Sequence, residues 1–357
     1  MASQIWNNTI LLFLAPVGLM VFVLVRYNRL RHIPGPLLPS LTDFWLQSKI
    51  WRGGNFADIM PELHRKYGPV VRWGPNRVSF TSAAAIPAIY STKDVFPKAS
   101  SYNPMLELSQ GKEIPTLITI RDENRISAIK SQISAGFSQN TWLKQEDQID
   151  GTLELLIQRL REISRGGQAD INIDHWLSLW TFDTLSQLAF SDSRNYLDAG
   201  TDKDGVYSGS VARFGHWCDW LLLPTLESWL YKGWLSQRMK RTTSALVKLA
   251  MARIEDRKKD GGEMAGRDLI GRFLGASQQN PRAIAPHDVL ALTISTIHAG
   301  AETTSLTSSH ILANLLTHPM AYEKLEKEIM GAGLSFPPQF KDIAGLPYLD
   351  AVVRESM

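Results

Sequence analysis

Residues 299–304 read Ala-Gly-Ala-Glu-Thr-Thr, midway along a stretch from Pro286 to His318 whose apolar spacing predicts a single helix over 286–316. A helix of some 30 residues runs about 45 Å at 1.5 Å per residue, long enough to cross a whole domain. At its centre the side chains shrink to Ala299, Gly300 and Ala301, followed by Thr303, Thr304 and Ser305. An interior glycine costs a helix about 1 kcal/mol relative to alanine. Small residues kept at that cost imply something bulky close to the backbone: a flat cofactor, or a second helix packed tightly. The Glu302-Thr303 pair bears on the choice. A glutamate in the middle of a buried helix is rare unless it is paired or working. A threonine can turn its hydroxyl onto a carbonyl one turn back and loosen the helix there. An acid, an alcohol and a water admitted between them can pass protons.

The rest of the chain sets the frame for that helix. Of 357 residues, 44% are hydrophobic and 20% charged, enough apolar material for a sizeable core. A net charge of +3 gives no case for nucleic-acid binding. A single cysteine, Cys218, excludes an internal disulfide and a cysteine-rich zinc site. Thr9 to Val25 is free of charge, and Arg26, Arg29 and Arg31 come directly after it. Its 17 residues are at the short end for spanning a bilayer. Basic residues on the C-terminal flank place the bulk of the chain on the cytosolic side. The expected layout is therefore a lumenal N-terminus over 1–8, an uncleaved anchor over 9–25, a basic, proline-rich linker over 26–39, and one domain over 40–357.

Ile33-Pro34-Gly35-Pro36, with Pro39, reads as a stiff non-helical strut. Phe56 to Tyr67 has helical spacing and is stopped by Gly68-Pro69. Two short strands, 70–73 and 77–80, flank a Gly74-Pro75-Asn76 turn. From about Asp122 the chain is helical by period, over 122–137, 144–163, 173–190, 205–218, 233–258, 267–276, 286–316, 319–330 and 346–357. Asp256 to Asp268 reads as an exposed, charged loop. The expected fold is mainly α with a small β element, not a set of alternating βαβ units. The last helix carries no stop signal, so the chain reads as cut short.

Two other candidate sites are weaker. His298 and Glu302 are four apart on one helix face, a spacing that can hold a metal. No third ligand and no His-Glu-x-x-His pattern accompany them, so no metal site is expected and His298 reads as a packed or substrate-lining residue. Cys218, in Phe214-Gly215-His216-Trp217-Cys218-Asp219-Trp220, reads as a buried or half-buried apolar thiol.

Ala299-Gly300-Ala301-Glu302-Thr303-Thr304 resembles the oxygen-activating helix of cytochromes P450, in which a small residue and a glycine precede an acid-threonine pair. Leu346-Pro347-Tyr348-Leu349 leading to Val353-Arg354-Glu355-Ser356-Met357 resembles the family's next signature helix. The Pro34-Gly35-Pro36 segment after an anchor and Tyr67-Gly68-Pro69-Val70 are similar to the microsomal members, and the Asp122 to Ser138 region to fungal ones. The resemblance covers nearly the whole chain. It implies a P450 fold and a haem whose iron a cysteine thiolate holds. Glu302 and Thr303 would deliver protons, and Ala299 and Gly300 would leave room for oxygen and substrate. Lys130 would reach a haem propionate, and Glu355 would join a buried salt-bridge network whose arginine would come after Met357. It implies an NADPH-dependent reductase as electron donor and a lipophilic substrate. It also implies attachment to the endoplasmic reticulum membrane, with Trp217, Trp220 and Leu221 to Leu223 at the lipid interface. Cys218 lacks the Phe, Gly and Arg neighbours of the family's thiolate loop, so the axial cysteine is absent from this chain. That leaves a second reading, a truncated, non-catalytic relative, and a third, a membrane-tethered helical scaffold without cofactor ancestry.

Overall fold

A computed structural model describes residues 2–91, 93, 95–233, 243–259 and 268–357, with 2–13 and 15 described as backbone alone. The chain forms two compact units, Met1–Met105 with Phe214–Lys240, and Leu106–Arg213 with Arg241–Met357. Both are mainly helical, and each described sheet has two strands.

The first unit begins with a helix of 28 residues, Ala2–Arg29, longer at both ends than the expected anchor. Leu14, Val17, Leu19 to Phe22, Leu24 and Val25 expose their side chains. Among the described residues no helix is long and apolar enough to cross a membrane. The expected anchor over 9–25 lies partly outside them, since the side chains of 9–13 and 15 are not described. The strut is shorter than expected. Residues 26–29 complete the first helix, and Leu37–Leu41 forms another. Pro39 is tolerated there because it sits in the first turn, where its missing N–H would have no partner in any case.

The part that remains extended, Pro34 to Pro36, is docked on the first strand. Arg72 N donates to Pro34 O at 2.7 Å. A side chain at Gly35 would meet Arg72 O at 2.0 Å, so only glycine fits this approach. Strand Val70–Gly74 pairs antiparallel with Arg77–Phe80, as the sequence predicts. Arg72 is only 1% exposed and pairs with no carboxylate among the described residues. Its guanidinium instead donates to five backbone carbonyls: Gly74 (3.2 Å), Tyr27 (2.8 Å), Arg26 (3.2 Å), Ser40 (3.2 Å) and Pro75 (2.9 Å). Two of these belong to the last turn of the N-terminal helix, the negative end of its dipole. One buried cation thus clamps that helix to the hairpin. Elsewhere in this unit Leu222 is buried with its N–H on Gln47 Oε1 (3.2 Å), and Trp217 Nε1 donates to Ser101 O (2.7 Å). The interfacial role expected of Leu222 is therefore corrected: its side chain belongs to the core.

The second unit is built around the helix Ile173–Phe190, which buries residues all around its circumference, among them Leu177, Leu179, Phe182, Ser186 and Phe190. The long helix Pro286–Thr317, 32 residues, lies against it and contributes Ile294, Ile297 and Ala301 to the same core. Glu146–Ser164, Ala245–Lys259 and Leu269–Gln279 complete the packing. The predicted helix 122–137 ends in a tighter turn, Glu123–Ile133 followed by Ser134–Phe137. Of the predicted helix 233–258, residues 234–242 lie outside the described set, and Ala245–Lys259 is helical. Residues 260–267 of the expected charged loop also lie outside the described set. Asp256, Lys258 and Lys259 are exposed as expected, though within the Ala245–Lys259 helix, whereas Arg257 and Asp268 are buried and paired with each other. Asp268 Oδ1 also accepts from Gly271 N at 2.8 Å, which caps the next helix.

A hairpin of three-residue strands, Glu107–Ser109 with Lys112–Ile114, was not foreseen. Its strands are too short to show a period of two. The turn carries positive φ at Gln110 (48°) and Gly111 (80°), the sign a tight hairpin demands.

Replacing Arg72 by Met keeps the bulk but strands several buried carbonyls. The expected cost is about 3 kcal/mol, read as a lower urea midpoint. Lysine recovers only part of it, because one ammonium cannot reach the same fork of acceptors. A loss under about 1 kcal/mol for Arg72→Met contradicts the clamp.

Candidate functional site

The long helix starts at Pro286, with Asp288 Oδ2 accepting from Ala285 N at 2.7 Å and pairing with Arg125. Along its length hydroxyls bond back to carbonyls four residues earlier: Thr293 to Val289 (2.8 Å), Thr296 to Leu292 (2.9 Å) and Thr303 to Ala299 (2.6 Å). The Thr303 bond is the back-bond to a carbonyl one turn earlier that the sequence suggests, within a helix that runs on unbroken.

The six central residues divide between two faces. Ala301 and Ser305 are buried. Gly300 faces the Ile173–Phe190 helix, where an added Cβ would stand 3.0 Å from Leu185 Cδ1. Helix packing is thus one reason for its lack of a side chain. Ala299, Thr303, Leu306 and His310 are exposed, at spacings of four, three and four, which makes one continuous stripe. The stripe is small and uncharged at Ala299 and Thr303 and apolar at Leu306.

Glu302 sits at the boundary between the faces. It is half-buried, and its Oε1 is fully enclosed without a hydrogen-bond partner among the described residues. Burial pushes its carboxyl above the usual glutamate range, while the nearby Ser210 hydroxyl and the His298 ring pull the other way without cancelling the effect. Glu302 therefore gives up its proton less readily than an exposed glutamate.

One turn before it, His298 is buried with both ring nitrogens engaged. Nδ1 lies 2.9 Å from Ser210 Oγ and Nε2 lies 3.2 Å from Glu107 Oε1. Arg213 meets Glu107 as a fork, Nε to Oε1 and Nη2 to Oε2, both at 3.1 Å. Ser244 Oγ adds a contact to Oε2 at 3.4 Å. Burial works against charge on Glu107, but the hydrogen bonds from His298 and Arg213 outweigh it and hold its pKa at about 2. No sequence signal pointed to this cluster. Its members come from the hairpin, the Val206–Trp220 helix, the approach to Ala245 and the long helix, and only the pairs 210/213 and 298/302 have helical spacing. The serine, histidine and glutamate line up as in a nucleophilic triad, but Ser210 is 1% exposed and out of reach of an acyl substrate.

The other predicted residues stand apart. Lys130 is exposed on its helix, whose buried positions are Ile126, Ile129 and Ile133, as expected of a solvated lysine. Glu355 is exposed and lines a concavity of about 550 Å³ together with Asn314, Leu315, His318 and Tyr348. Cys218 is exposed, not buried as expected. Partial burial and the neighbouring Asp219 carboxylate push its thiol pKa up, the opposite of what a thiolate ligand needs.

The second unit thus holds a long helix on which an acid and a back-bonded alcohol lie at the edge of an open stripe. The chain belongs to the cytochrome P450 family, whose model matches residues 34–357. It is 33% identical to a cytochrome P450 monooxygenase of Aspergillus terreus, over 98% of this chain and 73% of the relative. It is 32% identical to cytochrome P450 monooxygenase cicH of Emericella nidulans, over 92% of this chain and 67% of the relative. It is 29% identical to cytochrome P450 monooxygenase asR2 of Sarocladium schorii, over 100% and 73%. The reading as a non-catalytic relative gains no support from these matches, and the scaffold without cofactor ancestry is excluded by them. Membership implies a haem cofactor. The stripe at Ala299, Thr303 and Leu306 fits one face of such a group, while Cys218 does not fit as its thiolate.

Glu107, depressed from an unfolded value of 4.5 to about 2, stabilises the fold fully above pH 4.5 and loses that contribution as pH falls toward 2. Glu107→Gln should therefore lower stability at neutral pH by up to about 3 kcal/mol. The gap to the wild type should narrow as pH drops through that window. Urea melts at a series of pH values check this, and a gap independent of pH contradicts it.

Proposed function

We propose that this protein is a monooxygenase that inserts one oxygen atom from O2 into a lipophilic small molecule in fungal secondary metabolism. An NADPH-dependent reductase supplies the electrons. The observation that carries the reading is the Glu302 carboxyl, with one oxygen buried and unpaired among the described residues, beside a threonine whose hydroxyl is bonded back into the helix. When bound, the haem supplies the oxygen-activating iron. The chain's own residues do the rest. Ala299 and Leu306 line the open face without charge and favour an apolar guest. Glu302 stores a proton because burial disfavours its carboxylate. The Thr303 hydroxyl, released from Ala299 O, can turn to the open face and relay that proton outward. Lys130 and Glu355 remain candidates for a propionate contact and for the buried ion-pair network that the family's pattern assigns to them. The exposed apolar surface of the N-terminal helix and the basic residues at its C-terminal end support a single membrane anchor, with the domain in the cytosol at the endoplasmic reticulum.

In the haem-loaded enzyme, Thr303→Ala and Glu302→Gln should each cut product formed per O2 consumed by about tenfold or more, with the balance released as peroxide. Unchanged coupling in both variants overturns the proton-delivery reading. For the anchor, deleting residues 2–25 should move the protein from the membrane pellet to the supernatant. A pellet fraction equal to that of the intact chain contradicts it.

A further inference from the structure

We propose that the first unit holds an anionic phospholipid at the C-terminal end of its N-terminal helix, with Arg26 on the phosphate and Trp229 on an acyl chain. The inference rests on the membrane-anchor reading given above and adds which lipid that end of the helix selects.

The place is a cavity of about 670 Å³ lined by residues of the first unit alone. That volume lies in the range of small-molecule sites, ~300–1,000 Å³. One wall is polar and comes from Arg26, Asp43, Asn76, Arg77 and Ser100. The other is apolar and comes from Leu223, Pro224, Leu226 and Trp229. Such a site fits an amphiphile better than a wholly polar or wholly apolar guest, which would leave one wall unmatched.

Charge sets the sign of the headgroup. Asp43 and Arg77 neutralise each other, Oδ1 accepting from Nε at 2.9 Å. Arg77 is tied down further, with Nη1 donating to Ser101 Oγ at 3.0 Å and Nη2 to Leu222 O at 3.4 Å. Arg26 pairs with no carboxylate among the described residues. Its guanidinium lies over the Phe22 ring, 5.2 Å from the centroid. With the Asn76 amide turned so that its nitrogen donates to Pro75 O (3.1 Å), Asn76 Oδ1 accepts from Arg26 Nη2 at 2.6 Å. The cavity lining therefore carries one uncompensated positive charge, aimed by a ring and an amide. An anionic headgroup meets that charge, whereas phosphatidylcholine brings a cation of its own.

The apolar wall is held from behind. Glu227 is fully buried and meets Lys232 Nζ at 3.0 Å and His216 Nε2 at 3.1 Å. Lys232 Nζ also donates to Asn103 O at 2.6 Å. With Glu227 turned inward, its neighbours Leu226 and Trp229 are exposed, Trp229 at 68%. On the other side of Arg26, Phe22 and Val25 expose their side chains along the N-terminal helix. The cation is thus bordered by apolar side chains on two sides. A phospholipid presents the matching pattern, a charged phosphate at the root of its acyl chains. Arg26 stands in the last turn of the helix, the level at which basic residues of an anchor meet headgroups.

The test uses the full chain in dodecyl maltoside micelles doped with a lipid whose acyl chains carry bromine, which quenches a tryptophan on contact. The Trp229 emission is the difference between each protein and its Trp229→Phe counterpart. At equal mole fraction, brominated phosphatidylglycerol should quench Trp229 about threefold or more over brominated phosphatidylcholine. Arg26→Gln should bring that ratio to about one, and Arg26→Lys should keep most of it. Arg29→Gln combined with Arg31→Gln should leave it unchanged. A preference that survives Arg26→Gln refutes the site. So does one lost with Arg29 and Arg31, which makes it attraction between a basic surface and anionic lipid in general. Equal quenching by both lipids in the unaltered protein refutes it too, since the cavity is then a general apolar groove. Micelles do not require the helix to span a bilayer. This test can therefore fail while deletion of residues 2–25 still releases the protein from the membrane pellet, and the reverse.

Discussion

The long helix Pro286–Thr317 must bury one face in the core and leave the other open, and most of the molecule's chemistry depends on where that boundary falls. Gly300 and Ala301 lie on the packed side, pressed against the Ile173–Phe190 helix with Leu185 filling the space over Gly300. Ala299 and Thr303 lie on the open side. Glu302 falls between them, with one oxygen enclosed. Rotating the helix by one residue, about 100°, would carry Glu302 to the exposed direction that Thr303 now faces. The close approach of the Leu185 methyls to Gly300, 3.0 Å from where a Cβ would stand, resists that rotation.

Behind this boundary stands a compact electrostatic anchor. Glu107 brings together an arginine fork, a histidine and a serine from three other stretches of chain. Removing one partner of such a buried pair is costly because the other is left uncompensated, even where replacing the whole pair by apolar groups is nearly neutral. Its effect is to fix orientation. His298 cannot turn without leaving a buried carboxylate short of a donor, so its Nδ1 stays aimed at Ser210. The first unit uses a different device for a similar end: Arg72 holds a helix terminus by backbone carbonyls alone.

Much of this was legible in the sequence, and the reasons are physical. The long helices showed themselves because each buries one face, so apolar residues recur at the helical period. The Thr303 back-bond was foreseeable because the hydroxyl's reach is set by its own helix. The purpose of Gly300 was not, since a small residue serves a cofactor and a neighbouring helix equally well, and only the position of Leu185 shows the packing. The hairpin at 107–114 was too short to show alternation. The Glu107, Ser210, Arg213 and His298 cluster was invisible because it depends on contacts between residues up to 191 positions apart. Cys218 misled in the same way: an apolar neighbourhood in sequence did not make a buried thiol.

The proposed proton delivery requires that burial raise the Glu302 carboxyl above the usual glutamate range at the edge of the open face. Infrared spectroscopy of the carboxyl stretch measures this directly, with the band assigned by its loss in Glu302→Gln. A protonated-carboxyl band should persist above pH ~4.3, where an ordinary glutamate has already ionised. A Glu302 band that disappears at or below that pH would contradict it.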